Sequence, residues 1–280
     1  MMKLTPVNLR SCITGVIAPV LFSGLIIASD VDAATSKAEL FPYEANYSAN
    51  LSGVPINGNA KRSLIRNNDN SWTLSFKADM LIYSFDEESR FRFNNGKIQP
   101  EAYNMEKGAL GKKKTAAVDF DWGKKFALSK ENKKSWKVTL QPNDLDRISY
   151  QQQLQFDVAS GLKEFTYNII DEDERDNYTF KIDGEETLDT PVGKLNTVRL
   201  KMVRDNNKRQ TWIWLAKDWN DLLIKLKQTE KGKDYIVSLE SATVNRKIVQ
   251  GEKGEKGEKG EKGEKGEKGE KGEKAEVKTQ

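Results

Sequence analysis

The stretch Trp72-Thr73-Leu74-Ser75-Phe76-Lys77-Ala78-Asp79-Met80-Leu81-Ile82 decides the fold class. Its apolar residues fall on every second position from Trp72 to Ile82, and Thr, Ser, Lys and Asp stand between most of them. In an extended chain a period of two sends alternate side chains to opposite faces. One dry face and one wet face mark a strand of an antiparallel sheet, because strands of parallel sheets are apolar on both sides.

The same alternation recurs along the chain. It runs through Phe41, Tyr43, Ala45, Tyr47, Ala49 and Leu51; Trp136, Val138 and Leu140; Tyr178, Phe180 and Ile182; Val198, Leu200 and Met202; and Leu222, Ile224 and Leu226. Between such runs stand Arg66-Asn67-Asn68-Asp69-Asn70, Asn94-Asn95-Gly96, Asp183-Gly184 and Asp205-Asn206-Asn207. These residues tolerate the positive φ of tight hairpins and are read as turns. Many strands joined by short turns predict an all-β, antiparallel meander. An open sheet would leave unpaired edges, so the meander is expected to curl into a barrel or half-barrel.

One segment breaks the period. In Pro142-Asn143-Asp144-Leu145-Asp146-Arg147-Ile148-Ser149-Tyr150-Gln151, Leu145 and Ile148 stand at helical spacing, and Asn143 or Asp144 can cap a helix start. One short helix over 144–154 is expected, plugging an end of the barrel or packing on its open side. No other segment supports a helix.

The two ends of the chain differ from its middle. Lys3 and Arg10 precede the uncharged, apolar run Cys12–Ala28, and Val31 and Ala33 flank a cleavage point before Ala34. This is the pattern of a secretory signal peptide over 1–33, which places the protein in the periplasm or outside the cell. Thr14, Gly15, Pro19, Ser23 and Gly24 interrupt the run, so it falls short of the ~20 apolar residues of a spanning helix. No later segment is apolar enough to be an integral membrane segment. Cys12 is the single cysteine and opens the apolar run, directly after Arg10 and Ser11, which does not fit a lipoprotein signal. At the other end, Gly251–Lys274 is eight repeats of Gly-Glu-Lys. Glycine at every third position costs a helix about 1 kcal/mol each, and a collagen-like helix lacks its prolines. A disordered tail over 251–280 is expected, and 34–250 reads as one domain.

Composition removes whole classes of chemistry. The chain has no histidine, which excludes imidazole bases, His-ligated zinc and Ser-His-Asp triads. Once Cys12 leaves with the signal no thiol remains. No cofactor is implied. The net charge is +4 with acids and bases interleaved, which is no nucleic-acid footprint; Lys112-Lys113-Lys114 reads as a solvated turn. The run Asp171–Asp176 has Asp176 where a calcium loop needs glycine, and it also reads as a turn. No spacing among the many acids selects a pair for glycoside hydrolysis.

The candidate binding residues are aromatic. Thr211-Trp212-Ile213-Trp214-Leu215-Ala216 puts Trp212 and Trp214 on one face, and Trp72 and Phe76 share a face of their own strand. These four either fill the barrel core or, in a hollow barrel, line a pocket for an apolar ligand.

Three motifs resemble a bacterial exported family known as "domain of unknown function 3108". They are Asp144-Leu145-Asp146-Arg147-Ile148-Ser149 with the run to Leu154; Asp189-Thr190-Pro191-Val192-Gly193-Lys194-Leu195; and Trp212-Ile213-Trp214-Leu215-Ala216-Lys217-Asp218 with Leu222-Leu223-Ile224-Lys225. The likeness spans Tyr43 to Val244 and excludes the tail. It departs from the pattern at Leu222, where the family usually has proline before the return strand. The resemblance implies an envelope-exposed, barrel-like β fold and no catalytic residues. The expected role is a non-enzymatic binding or carrier protein for an apolar or lipid-like ligand. A structural or protein-interaction module of the cell envelope is the second reading, and a carboxylate-based glycan hydrolase the remote one.

Overall fold

The computed structural model describes residues 39–51, 54–80, 83–206 and 208–252. The expected signal peptide, Cys12 and all of the repeat tail beyond Glu252 lie outside the described residues.

The first half of the chain is β1 (Tyr43–Leu51), β2 (Val54–Arg66), β3 (Trp72–Met80), β4 (Tyr83–Asn94), β5 (Lys97–Ala109), β6 (Lys112–Asp121), β7 (Phe126–Glu131) and β8 (Lys134–Thr139). A two-residue strand β9 (Asp144–Leu145) and the helix α1 (Ser149–Asp157) follow. The second half is β10 (Glu164–Asp171), β11 (Glu174–Thr190), β12 (Gly193–Val203), β13 (Arg209–Ala216), β14 (Leu222–Glu230), β15 (Lys233–Val244) and β16 (Lys247–Ile248). All these strands belong to one sheet, ordered β8-β7-β6-β5-β4-β3-β2-β1-β15-β14-β13-β12-β11-β10-β9, with β16 on β15. Every pairing is antiparallel except β9 with β10.

The order explains the curl. The chain meanders from β1 out to the edge β8, crosses to the opposite edge β9, and meanders back until β15 pairs with β1. The crossing from Thr139 to Asp144 is five chain steps, at most about 18 Å. The two edges therefore lie near one another, and the sheet curls almost into a barrel without closing by backbone hydrogen bonds.

Side chains close the seam instead. On its inner side Arg147 contacts Asp171 of β10 and stands 3.7 Å from Glu131 of β7. On its outer side Arg175 grips both oxygens of Asp144 at 2.8 and 2.7 Å and also donates to the carbonyl of Thr139, at 2.7 Å. Each arginine thus joins the two edges.

The core is the inner face of this curled sheet, from Leu40 to Val249. The expected alternation holds, and the Asn95-Gly96 turn has φ values of 50° and 77°, the left-handed pair of a tight hairpin. Four details differ from the sequence reading. Asp183-Gly184 is no turn but a bulge inside the long β11, where the register shifts between Ile182 and Gly184 and Gly184 takes φ 149°. Lys112-Lys113-Lys114 opens β6, and the turn before it is Leu110-Gly111. The helix begins at Ser149 rather than 144, because Asp144 and Leu145 pair with Asn168 and Ile169. Single 3₁₀ turns stand at Val158–Ser160 and Lys217–Trp219. The tail boundary also moves: Gly251 and Glu252 bond to Val192 and Lys194 at the start of β12.

Candidate functional site

Helix α1 lies inside the curled sheet at the end carrying the turns 94–97 and 217–221. Three buried glutamines, Gln152, Gln153 and Gln155, hold it there. The Gln153 amide accepts from the backbone N–H of Ile98 at 2.7 Å and donates to the carbonyl of Gly96 at 2.8 Å. Gln155 donates to the carbonyl of Asn220 at 3.1 Å, and Phe156 meets Phe93 edge to face with centroids 5.0 Å apart. Glutamine suits this position because one side chain can both give to and take from strand backbone. The helix start rests on Asp146, whose carboxylate accepts from the N–H groups of Ile148 and Ser149 at 3.0 and 2.8 Å. This end is therefore plugged, as the sequence allowed.

Beside the first helical turn, the inner wall carries a polar band. Strand register places Ala45, Arg62, Phe76, Glu87, Met105, Ala116 and Glu131 side by side on β1 to β7. Arg62 is 3% exposed. Its Nε donates to the Tyr43 hydroxyl at 2.9 Å and its Nη1 to Gln151 Oε1 at 2.8 Å; the Tyr43 hydroxyl in turn donates to Gln152. Burial opposes the Arg62 charge, but Tyr43 and Tyr47 beside it more than offset that, and its pKa stands above the ordinary value. Glu87 accepts from the Tyr103 hydroxyl at 2.7 Å. Burial pushes Glu87 up to about 7, against that hydrogen bond and with help from the Asp146 charge. Asp146 accepts from the Ser89 hydroxyl at 2.6 Å, and burial raises its pKa too. Sequence reasoning missed Arg62 and Glu87. The available signal was phase: Arg62 alternates with Ala60 and Leu64, and Glu87 with Phe85, Ser89 and Phe91.

From this band to the opposite end, the inner wall changes character. Around the helix its side chains are sealed: Leu64, Leu74, Phe91, Leu145, Ile169 and Leu200 are at most 2% exposed. Toward the end with the turns Leu110-Gly111 and Lys231-Gly232, inward-pointing Phe76, Phe85, Leu226 and Val237 are only half-buried. The wall there is also lined by the small residues Ala49, Gly58, Ala60 and Ala78, in register on β1, β2 and β3. Thr211 points into the same half with its buried hydroxyl unpaired among the described residues. The plugged half is a filled core; in the other half the inward apolar side chains are less completely covered.

The four expected lining residues separate. Trp72 packs into the filled core at 7% exposure and Phe76 lies in the less covered half. Trp212 and Trp214 share a face as expected; it is the outer one, where Trp214 is nonetheless buried. Ile213, between them, is the core residue. Lys201 lies over Trp212 and Lys225 over Trp214, with ammonium-to-centroid distances of 5.5 and 5.1 Å, and Trp214 donates its indole N–H to Glu186 at 2.8 Å. One groove of about 620 Å³ has Lys77, Asp86, Glu88, Glu106 and Lys130 in its lining, and another of about 550 Å³ has Ile98, Trp122, Leu140 and Pro142. The acidic run Asp171–Asp176 straddles the hairpin between β10 and β11, with Glu172 and Asp173 as its turn.

Among the described residues no helix is long and apolar enough to cross a membrane. The family model described as "Protein of unknown function (DUF3108)" matches residues 43–235. No curated protein matches the chain. Among solved structures, the chain is similar to the crystal structure of a β-barrel-like protein of the domain of unknown function DUF1849 from Brucella abortus. The two share 12% identity over 74% of this chain and 99% of the other, with a TM-score of 0.52. That likeness shows a shared β-barrel-like fold.

Proposed function

The chain belongs to the DUF3108 family of proteins of unknown function, and on that premise we propose that it is an exported, non-enzymatic carrier holding an apolar or lipid-like ligand in the open half of its barrel. The observation that carries this reading is the contrast along one wall. Inward apolar side chains such as Leu64, Leu74 and Phe91 are sealed beside α1, while Phe76, Phe85, Leu226 and Val237 are half-buried from Arg62 outward. A folded chain gains about 25 cal/mol for each Å² of apolar surface taken from water, so an apolar lumen left accessible is a surface for something else to cover. The missing histidine and thiol chemistry, and a sequence start with the pattern of an export signal, agree with a carrier in the periplasm or beyond.

The test is native mass spectrometry of protein isolated from the envelope without detergent, paired with titration by an environment-sensitive apolar dye. Co-purifying lipid mass, or dye binding that lipid displaces, is the expected result. A bare mass together with no dye uptake would overturn the reading.

A further inference from the structure

The carrier reading leaves open which chemical class of amphiphile the lumen takes, and Arg62 narrows it. Its guanidinium lies where the filled core gives way to the lumen, 3% exposed, and both of its hydrogen bonds among the described residues go to neutral oxygens, on Tyr43 and Gln151. A buried cation is costly unless an anion faces it. Among the described residues no carboxylate comes within ion-pairing distance of Arg62, although Glu87 sits two strands away in the same row and is held instead by Tyr103.

The remaining donors suit an acid. With Nε committed to Tyr43 and one Nη1 proton to Gln151, the guanidinium keeps its second Nη1 proton and both Nη2 protons. These are charged donors of the kind that hold the oxygens of an acid. The neighbours set the charge. Glu87 lies two strands from Arg62 in the same row, and a group with two negative charges would be repelled by it more than a group with one. The wall leading from Arg62 toward the open end is apolar, through Phe76, Phe85, Leu226 and Val237. We infer that the ligand is a long-chain carboxylate, seated head-down with its acid on Arg62 and its chain along the apolar wall toward the open end. This rests on the carrier reading and adds to it the headgroup, its anchor and its direction of entry.

The protein, purified as the cell processes it and stripped of bound lipid, is titrated with cis-parinaric acid and separately with its methyl ester. Both fluoresce on entering an apolar site, and they differ only in the charge of the head. Wild-type protein is expected to bind the acid at least tenfold more tightly than the ester. Arg62→Met, which keeps the stem of the side chain, should bring the acid down to the ester, and Arg62→Lys should keep part of the difference. The acid-to-ester ratio in the wild type is decisive even where the variants misfold. Equal binding of acid and ester overturns the anchor while leaving the carrier reading intact, and binding of neither overturns both.

Discussion

Gly193 and Gly251 meet backbone against backbone. A methyl group on Gly251 would fall 2.2 Å from the carbonyl oxygen of Lys194, and one on Gly193 would fall 2.9 Å from the carbonyl oxygen of Glu252. The contact fastens the start of the repeat to β12 through Lys194 N–H to Glu252 O at 2.9 Å, Glu252 N–H to Lys194 O at 3.0 Å and Gly251 N–H to Val192 O at 2.8 Å. Gly251→Ala cannot keep these three bonds. At about 0.5–1.5 kcal/mol net each, the change should cost roughly 1.5–4.5 kcal/mol, confined to this end. Amide exchange checks it: Lys194 and Glu252 should lose protection, while the β1–β15 ladder keeps its own.

The seam makes a second prediction. Arg147 reaches Asp171 and Glu131 across it, with about a fifth to a quarter of the Arg147 and Asp171 side chains exposed. Arg147→Met leaves Asp171 without its arginine and Glu131 with Lys114 alone, at 2.6 Å. Partly solvated pairs are worth less than buried ones, so a loss of about 1–3 kcal/mol is expected. Arg175 remains on the outer side, and the single variant should therefore stay folded but open locally. Limited proteolysis should then cut between 139 and 144 faster than in the wild type, and Arg147→Met with Arg175→Met should cut faster than either alone.

Glu87 predicts a pH dependence with a definite sign. Its ordinary value is 4.5 and burial holds it at about 7 in the folded chain, with Tyr103, Asp146, Arg62 and Arg147 the groups that act on it. A raised carboxylate binds its proton more tightly when folded than when unfolded. Its contribution is fully present below pH 4.5 and is lost as pH rises through 7. The whole swing is about 3 kcal/mol. The chain has no histidine to titrate in that window; Asp221, which burial raises to about 6, adds a smaller slope of the same sign. Urea midpoints should fall between pH 5 and pH 8. Glu87→Gln keeps an acceptor for Tyr103 and should flatten most of that fall; an unchanged slope would assign it elsewhere.

Alternation made the sheet legible, because a strand wet on one side and dry on the other has no second interpretation over nine residues. What escaped was decided by contacts between distant segments. Asp183-Gly184 reads as a turn because a bulge and a hairpin ask for the same residues. Asp144 looks like a helix cap until β10 is beside it, and only Asp146 is left to cap. The tryptophan strand could not be oriented from its own residues, since Thr211–Ala216 is apolar on both faces; the lysines of β12 and β14 decide it. Arg62 and Glu87 were in phase with the core, but a charged residue at an inward position gains its meaning only from the helix and the wall that surround it.

That orientation makes the last prediction a test of faces. If the lumen is the binding site, a change that fills it should abolish binding without loosening the fold, and a change on the outer wall should do neither. Phe76→Trp enlarges a half-buried inward side chain beside Arg62, where Ala45 lies in the same row two strands away and Ala78 two residues along. Because the side chain is only half-buried, the larger ring should cost little, under about 1.5 kcal/mol, yet it occupies the space an acyl chain needs. Ligand or dye affinity should drop by at least tenfold. Trp212→Ala removes an outer ring that faces Lys201. It should lose the cation–π contact, about 0.5–1 kcal/mol, along with some packing, and leave ligand affinity within twofold. The opposite ranking, with Trp212 decisive and Phe76 silent, would move the site to the outer wall, where basic side chains over indole rings suit a different partner from the one the lumen suits.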